Sequence, residues 1–258
     1  MTLDGHSTLH PTGFIEPAWP APPNIAAFVT TRVSPDPAIT GDKPYAAFNL
    51  ADHVGDDPAA VQRNRVLLKR TLRLPSEPIW LRQIHSDRVV ESEEAANGAE
   101  ADAIIARKPG NICLVQTADC LPVLFADRRG DRVAAVHAGW RGLRQNIIAK
   151  TVAALAVPPE NLLAWMGPAI SARAYEVDAT VYRQFVDEDA VYTQAFNATR
   201  PGHWQLDLYG IARLQLQALN ITAIYGGEFC TYRQPDLFYS YRRDGQTGRI
   251  ASLIWIKS

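Results

Sequence analysis

The pattern of apolar and polar residues predicts a β-hairpin near the middle of the chain. Two apolar runs, at residues 121–126 and 132–138, flank the polar sequence Asp127-Arg128-Arg129-Gly130. Apolar runs of this length on either side of a glycine-containing turn are typical of two paired strands. The hairpin lies within residues 117–142, the stretch around which we expect the rest of the chain to be organised.

The expected register of this hairpin brings two reactive side chains together. If the loop comprises four residues, Ala126 faces Asp131, and continuing the count places Cys120 directly opposite His137. Directly opposed residues on one face of a sheet have Cβ atoms about 4.5–5.5 Å apart. A slip of one residue would place the two side chains on opposite faces. In the expected register, Cys120 and His137 can share a metal ion or a proton.

Further apolar patterns predict helices and strands that are interspersed without strict alternation. Asp57 before Pro58 favours the start of a helix that ends near Leu74, because aspartate caps a helix and proline fits its first turn. Other helices are predicted at residues 142–156, 178–185 and 206–219, and strands at residues 28–31, 79–84, 101–106, 111–116, 162–166, 221–225 and 250–256. This order favours an α/β or α+β layered sandwich with mixed sheets over a doubly wound parallel sheet.

Composition and charge restrict the class of protein. The 258 residues are 47% hydrophobic and 21% charged, which suits a soluble globular chain. No low-complexity linker is visible, so we predict one domain at residues 14–258 after a flexible tail at residues 1–13. A net charge of −1 and a pI near 6.6 give no indication of a nucleic-acid or membrane partner. The N-terminus lacks a signal-peptide pattern and the three cysteines do not suggest a disulfide framework, so we expect a cytoplasmic protein with reduced thiols.

His85, at the end of a predicted strand, is the third candidate for the site at Cys120 and His137. Two histidines and a cysteine form a ligand set of the catalytic zinc kind, with a fourth position left for water or substrate. Copper would accept the same ligands. Without a metal, a Cys–His pair would instead suggest a thiol nucleophile and its base. Taken alone, Cys120 and His137 are of types that are more often ordinary core residues, and their expected pairing is what favours a site.

Several polar residues outside this cluster could bind a substrate. Arg141 lies where a glycine-flanked strand meets a helix, a position suited to phosphate or carboxylate, although a solvent-facing arginine is an equal alternative. Arg32 is a second, weaker candidate. The irregular segment at residues 45–57 contains Asn49 and is either functional or an ordinary surface loop. Three arginines near the C-terminus could hold a substrate, but an ordinary charged surface explains them better: Arg242, Arg243 and Arg249.

Extended motifs make the chain resemble a known family over nearly its whole length after the tail. TADCLPVLFAD followed by VAAVHAGWRGL is similar to the signature of the multicopper-polyphenol-oxidase-like, laccase-domain family. Supporting motifs are FNLADHVGDDP, WLRQIHSDRVV, AWMGPAI and FYSYRRDGQTGRIASLIW. The family includes bacterial purine nucleoside phosphorylases and proteins named peptidoglycan editing factor. One departure is Ser86, which stands where the family typically has glycine.

The resemblance implies a monomeric αβ sandwich with one zinc ion. Its ligand positions match His85, Cys120 and His137, the same residues that the pattern analysis selected. Residues lining the family's pocket would correspond to Arg32 and Asn49, with Asp119 and Arg141 beside the metal.

The activities associated with the family differ in substrate. They comprise copper-dependent oxidation of phenols, phosphorolysis of purine nucleosides with adenosine deamination as a side activity, and amide hydrolysis on a peptidoglycan precursor. A classical multicopper oxidase needs many more than the six histidines present here. A binding protein with a structural metal is the non-enzyme alternative, although structural zinc sites usually have four ligands.

We therefore predict a zinc-dependent purine nucleoside phosphorylase that acts on adenosine, inosine and methylthioadenosine. In this hypothesis Cys120, His137 and Asp119 belong to the catalytic centre. Arg141, helped by Arg32, binds phosphate, and Asn49 or Asp119 orients the substrate or moves a proton.

Overall fold

The computed structural model describes residues 7–40 and 44–258. The strands in these ranges are β1 (Thr8–Leu9), β2 (Phe14–Glu16), β3 (Ile25–Thr30), β4 (Val89–Glu91), β5 (Ala103–Ala106), β6 (Ile112–Thr117), β7 (Leu121–Asp127), β8 (Val133–Ala138), β9 (Leu162–Met166), β10 (Glu176–Asp178), β11 (Phe196–Arg200), β12 (His203–Leu206), β13 (Ile224–Gly226) and β14 (Ile250–Ile256). The α-helices are α1 (Pro58–Leu72), α2 (Trp140–Arg144), α3 (Ile147–Leu155), α4 (Ala179–Val186), α5 (Leu208–Ala218) and α6 (Tyr241–Asp244). Every helix in the described ranges falls short of what a bilayer-crossing segment requires.

Two large sheets form the centre of the fold. One has five antiparallel strands in the order β1-β2-β3-β14-β6. The other has six strands in the order β13-β9-β7-β8-β5-β4, of which the two outer pairs are parallel and the inner pairs antiparallel. A small third sheet, β10-β12-β11, was not predicted. The prediction of a mixed-sheet, single-domain α/β fold is confirmed.

The two large sheets pack face to face and are covered by helices on their outer faces. Alternate residues of one strand point to opposite faces of its sheet. Leu124 accordingly packs between the sheets, whereas its neighbour Phe125 packs against the helical layer that contains α3 and α5. In the other sheet, Val115 packs between the sheets and Leu114 packs towards α1. Because both large sheets are covered on both faces, their central strands are mostly apolar and do not alternate between apolar and polar residues.

The helix at Asp57 begins and ends as its sequence predicts. The Asp57 carboxylate accepts a hydrogen bond from the Ala59 backbone N–H, and Pro58 occupies the first turn, where no N–H is needed. The helix ends at Arg73, which adopts a left-handed conformation with φ of 49°. This helix packs its leucines on the five-stranded sheet, so its cap fixes where the apolar face starts.

The central hairpin is present, but its predicted register is wrong. Leu121 pairs with Ala138 and Pro122 with His137, so Ala126 faces Val133 rather than Asp131. The Asp127 side chain is the cause, because its carboxylate accepts hydrogen bonds from the backbone N–H groups of residues 129, 131 and 132 and makes Asp127 the last strand residue. The register therefore differs by two residues, and a shift of two preserves the face on which each side chain lies.

Two other predicted elements differ in the structure. The segment at residues 79–84 is not a strand. It has one isolated bridge, and the Gln83 side chain, rather than its backbone, bonds to the Gln116 backbone. The predicted helix at residues 142–156 is two helices, α2 and α3, because Asn146 adopts a left-handed conformation with φ of 63°. Asparagine tolerates that conformation better than most residues, so it allows a sharp break.

The N-terminal segment carries structure from Ser7 onwards. Thr8 and Leu9 pair with Glu16 and Ile15 in a short antiparallel hairpin. Residues 7–13, which we predicted as part of a flexible tail, therefore extend the five-stranded sheet at its edge. Residues 1–6 of that predicted tail lie outside the described residues.

The turn geometry predicts a stability effect at Asp127. The side chain is only 2% exposed, and Asp127→Ala would leave three backbone N–H groups without their acceptor. We expect the free energy of unfolding to fall by about 1–3 kcal/mol, measured by urea denaturation. Asp131→Ala in the same turn is the control, because its exposed side chain should change stability by less than about 0.5 kcal/mol. Equal stability of the two variants would contradict this account of the register.

Candidate metal centre

Three side chains from separate parts of the chain meet at one end of the six-stranded sheet. His137 lies on β8, Cys120 directly precedes β7, and His85 lies in the loop before β4. One ligand atom from each lies within 4.8 Å of the other two. The Cys120 Sγ and His85 Nε2 atoms are 3.9 Å apart, and the two imidazole rings meet edge to face at 4.8 Å between centroids. The structure thus brings together the three residues that the sequence selected as metal ligands.

Glycine opposite the thiol makes room for this cluster. In the observed register, Gly139 rather than His137 comes opposite Cys120. A Cβ atom on Gly139 would lie 2.9 Å from Cys120 Sγ, closer than real contacts allow. His137 is therefore the diagonal neighbour of Cys120 on the same face, and diagonal neighbours remain within reach of long side chains.

A buried carboxylate orients both histidines. Asp102 directly precedes β5 and is fully buried. Its Oδ1 atom accepts a hydrogen bond from His137 Nδ1 at 2.8 Å and from the His85 backbone N–H at 3.0 Å. Its Oδ2 atom accepts bonds from the Ser86 backbone N–H at 2.6 Å and from the Ser86 hydroxyl at 2.7 Å. With Nδ1 of His137 bonded to Asp102, Nε2 is the atom left to face the cluster.

Charges within the cluster shift the proton affinities of its members. Burial would raise the pKa of the Cys120 thiol, but the charge and hydrogen bond of His137, aided by His85, lower it to about 6. Burial would likewise lower the pKa of His137, but Cys120 and Asp102 raise it to about 9. Burial would raise the pKa of Asp102, yet His137 and Ser86 lower it to about 2. Cys120 is therefore biased towards the thiolate, which is the form that binds metals.

The donor set fits a transition-metal ion. One thiolate and two imidazole nitrogens suit zinc, and copper accepts them as well. Catalytic zinc sites typically use three protein ligands and leave one position open, whereas structural sites use four. In the described ranges, this trio is the one group of three or more histidine, cysteine or acidic residues close enough to share an ion. The cluster could therefore hold a metal with a position open to the solvent side.

The cluster opens into a cavity of about 520 Å³. Besides the three candidate ligands, the lining side chains combine aromatic rings, amides and cations: His53, Gln83, Gln116, Thr117, Ala118, Asp119, Trp140, Arg141, Ile170, Tyr175, Leu208, Tyr241, Arg242 and Arg249. A larger groove of about 610 Å³ lies beside Arg141 but contains none of the candidate ligands. The candidate reaction site is therefore the cavity of about 520 Å³ that contains the three candidate ligands.

Three arginines give this cavity a cationic wall. The Arg141 guanidinium is exposed and lies over the Trp140 ring at 4.5 Å, and it forms no ion pair or hydrogen bond with the described residues. Arg242 lies over the Tyr175 ring at 5.0 Å and donates one hydrogen bond to the Glu176 carbonyl. The sequence favoured an ordinary charged surface for Arg242 and Arg249, but both line the cavity. The wall is therefore suited to an anion.

Two other predicted substrate-binding residues lie away from the cavity lining. The Arg32 guanidinium donates to the carbonyl oxygens of Ala46 and Pro235. Asn49 is fully buried, and its amide bonds to Ala51, Asp56 and the Arg249 backbone N–H. The structure does not bring either side chain to the three candidate ligands, and Asn49 acts on the cavity through the loop that carries Arg249.

Asp119 lies next to Cys120, but its carboxylate has two protein partners. Oδ1 accepts a hydrogen bond from the Thr231 hydroxyl at 2.6 Å, and Oδ2 accepts one from the Arg242 backbone N–H at 2.7 Å. The residue has a φ of 97°, unusual for a non-glycine residue. Asp119 thus joins the start of the central hairpin to the loop that carries Arg242, and its role as a proton shuttle stays a prediction.

The sequence analysis missed Asp102 and the amide-rich floor of the cavity. The signal for Asp102 was present, because it is a single charged residue in the apolar sequence ADAIIA and such a buried charge requires a partner. Gln116 and Thr117 gave no such signal. Both are buried in the cavity lining, and the Gln116 amide nitrogen and the Thr117 hydroxyl have no partner among the described residues. Both atoms are fully buried, so neither faces the open part of the cavity.

Comparison with known proteins identifies relatives over most of the chain. Residues 27–257 match the model of the family described as multi-copper polyphenol oxidoreductase laccase. The chain is 46% identical over 245 residues to a protein of Haemophilus influenzae named purine nucleoside phosphorylase, covering 94% of this chain and 99% of the relative. It is 44% identical over 243 residues to the Escherichia coli protein named purine nucleoside phosphorylase YfiH, covering 94% and 98%.

Solved structures share the fold. The crystal structure of a Neisseria meningitidis protein of the DUF152 family superposes with a TM-score of 0.90 at 44% identity, covering 95% of this chain and all of that one. The structure of the hypothetical protein YfiH of Bacillus licheniformis superposes with a TM-score of 0.88 at 26% identity, covering 97% and 99%. The arrangement of the two large sheets is therefore shared with these proteins.

The geometry of the cluster predicts that Cys120→Ala abolishes metal binding. Removing one of three donors leaves two imidazoles, which do not form a complete catalytic zinc site. The measurement is metal content per chain after dialysis against zinc, by elemental analysis. Cys230→Ala, which removes a thiol that bonds to Ser171 outside the cluster, should retain the metal. Stoichiometric metal in the Cys120 variant would refute the assignment of the ligands.

Proposed function

This chain belongs to the multi-copper polyphenol oxidoreductase laccase family, and on that premise we propose that it is a zinc-dependent purine nucleoside phosphorylase. Its substrates are adenosine, inosine and methylthioadenosine, and adenosine deamination is a side activity. The proposal is supported by the names of its relatives. The observation that carries it is the position of the three candidate ligands in one cavity with Arg141, Arg242 and Arg249.

The cationic wall suits the phosphate co-substrate. In phosphorolysis a phosphate oxygen forms a bond to C1′ of the ribose, the bond from C1′ to the purine nitrogen breaks, and the purine takes up a proton. The Arg141 guanidinium stacks on Trp140 but has no ion pair or hydrogen bond with the described residues, and its planar donors match a phosphate. The short helix α2 has only five residues, so the guanidinium rather than the helix terminus supplies the charge.

The remaining lining suits a nucleoside. A cavity of about 520 Å³ is within the usual range for small-molecule sites. Trp140, Tyr175 and Tyr241 offer aromatic surface to a purine ring. Arg32 and Asn49 support the fold around this cavity instead of touching the substrate.

The cluster explains the proposed deaminase activity. When bound, zinc supplies Lewis acidity and a water of lowered pKa, which suits attack on the adenine ring. His85, Cys120 and His137 would hold the ion in the cavity lining. The described residues contain one three-ligand cluster rather than the several that multicopper chemistry needs, which disfavours copper-dependent phenol oxidation.

Product analysis tests the proposal. Purified protein of known zinc content is incubated with adenosine, with and without phosphate, and the products are separated by chromatography. We expect adenine and ribose 1-phosphate only in the presence of phosphate, and a slower formation of inosine in both conditions. Absence of all three products from fully zinc-loaded protein would exclude the nucleoside activity and leave the peptidoglycan-precursor amidase as the next enzyme to assay.

A substitution at Arg141 tests the phosphate position. Arg141→Ala removes a charged donor from the cavity, so the KM for phosphate should rise about 10- to 100-fold, which corresponds to one lost charge-assisted interaction. Arg144→Ala is the matched control. Arg144 lies on the same helix as Arg141, but it pairs with Glu188 and does not line the cavity of about 520 Å³. An unchanged KM for phosphate in the Arg141 variant would show that the phosphate binds elsewhere.

A further inference from the structure

The Asp102 carboxylate makes several hydrogen bonds to residues of the candidate metal centre. It is fully buried and accepts five hydrogen bonds from the described residues. The backbone carbonyl of Asp102 also accepts a bond from the His137 backbone N–H at 2.7 Å. Asp102 and His137 are therefore fixed to each other twice, through the backbone between β5 and β8 and through their side chains.

One oxygen of the Asp102 carboxylate contacts both histidines, and the other contacts the residues on either side of His85. Oδ1 binds both His137 Nδ1 and the His85 backbone N–H. Oδ2 binds the backbone N–H groups of Ile84 and Ser86 and the Ser86 hydroxyl. One carboxylate thus holds the side chain of one candidate ligand and the backbone of the loop that presents the other.

The loop at His85 needs this support. His85 has a φ of 58°, a left-handed conformation that few non-glycine residues adopt and that costs free energy. Its side chain is exposed, so packing does not hold it in place. Three consecutive backbone N–H groups, at residues 84, 85 and 86, converge on the Asp102 carboxylate instead. The strained backbone of His85 is therefore stabilised by one anion.

We propose that Asp102 is the positioning residue that sets the metal affinity of this chain by fixing His85 and His137 together. Because Nδ1 of His137 donates to Asp102, the Nε2 lone pair is left free to bind an ion. Because the same carboxylate holds the loop at residues 84–86, His85 would bind an ion with little further ordering cost. This inference rests on the metal centre of the proposed function and does not depend on which substrate is turned over.

Asp102→Asn tests the inference with little change in shape. The new amide can donate to His137 Nδ1, which favours the tautomer whose Nε2 carries the proton and cannot bind the ion. The amide also lacks the negative charge that attracts the backbone N–H groups of residues 84, 85 and 86. We expect zinc affinity, measured by competition with a chromophoric chelator, to fall about 10- to 100-fold, as is typical when the carboxylate that hydrogen-bonds to a metal-binding histidine is lost.

Asp127→Asn is the matched control for a general loss of stability. Asp127 is also a buried carboxylate that accepts three backbone hydrogen bonds, but it lies at the far end of β7, about 20 Å from the cluster. This variant should lose stability and keep the zinc affinity of the unsubstituted chain. Equal zinc affinity in the Asp102 and Asp127 variants would overturn the proposal, because Asp102 would then act only on the fold.

Ser86→Ala provides a milder second variant that retains the buried carboxylate. It removes the hydroxyl that donates to Oδ2 and leaves the Ser86 backbone N–H in place. We expect zinc affinity to fall about two- to tenfold, the effect of one hydrogen bond. If Asp102→Asn does not fold, unchanged affinity in Ser86→Ala overturns the proposal. Zinc binding with no adenosine turnover would refute the proposed function alone, whereas no zinc binding by the unsubstituted chain would overturn the metal centre and this inference together.

Discussion

The burial of the six-stranded sheet on both faces is the constraint on which the rest of the structure depends. Its central strands are buried at every position and almost entirely apolar, because one face packs on the other large sheet and the opposite face packs on helices. A polar side chain in such a layer must find a partner, since an unpaired buried charge is very costly. Asp102 and His137 satisfy each other across neighbouring strands, and the surplus acceptors of Asp102 are filled by the loop at His85. The requirement to bury the sheet thus produces the ordered ligand cluster.

The cavity collects groups from distant parts of the chain through a small number of buried anchors. Asp119 ties the start of the central hairpin to Thr231 and to the backbone of Arg242. Asn49 ties the loop at residues 49–56 to the backbone of Arg249. These anchors place Arg242 and Arg249 in the lining of the cavity that also contains Arg141. Residues that resemble substrate ligands in the sequence therefore act by positioning the cationic wall.

Local patterns predicted most of the fold. Periodicity placed the strands at residues 162–166 and 250–256 correctly, and the Asp57-Pro58 pair gave the start of α1. The failures occur where a side chain replaces a backbone partner or breaks an element. Gln83 bonds to the Gln116 backbone in place of a strand, Asn146 divides the helix after the hairpin, and Asp127 moves the hairpin register by two residues. Hydrophobic periodicity does not record such bonds.

The sequence by itself determined the identity of the three candidate ligands and the layered character of the fold. Reactive residue types in apolar runs are conspicuous, and a register error of two residues preserves the face of a strand, so Cys120 and His137 remained neighbours. The tertiary structure alone decided that Asp102 holds both histidines, that Arg242 and Arg249 join Arg141, and that Arg32 and Asn49 do not reach the cavity. These relations depend on contacts between residues far apart in the chain, and a one-dimensional pattern contains no information on which polar side chains satisfy one another.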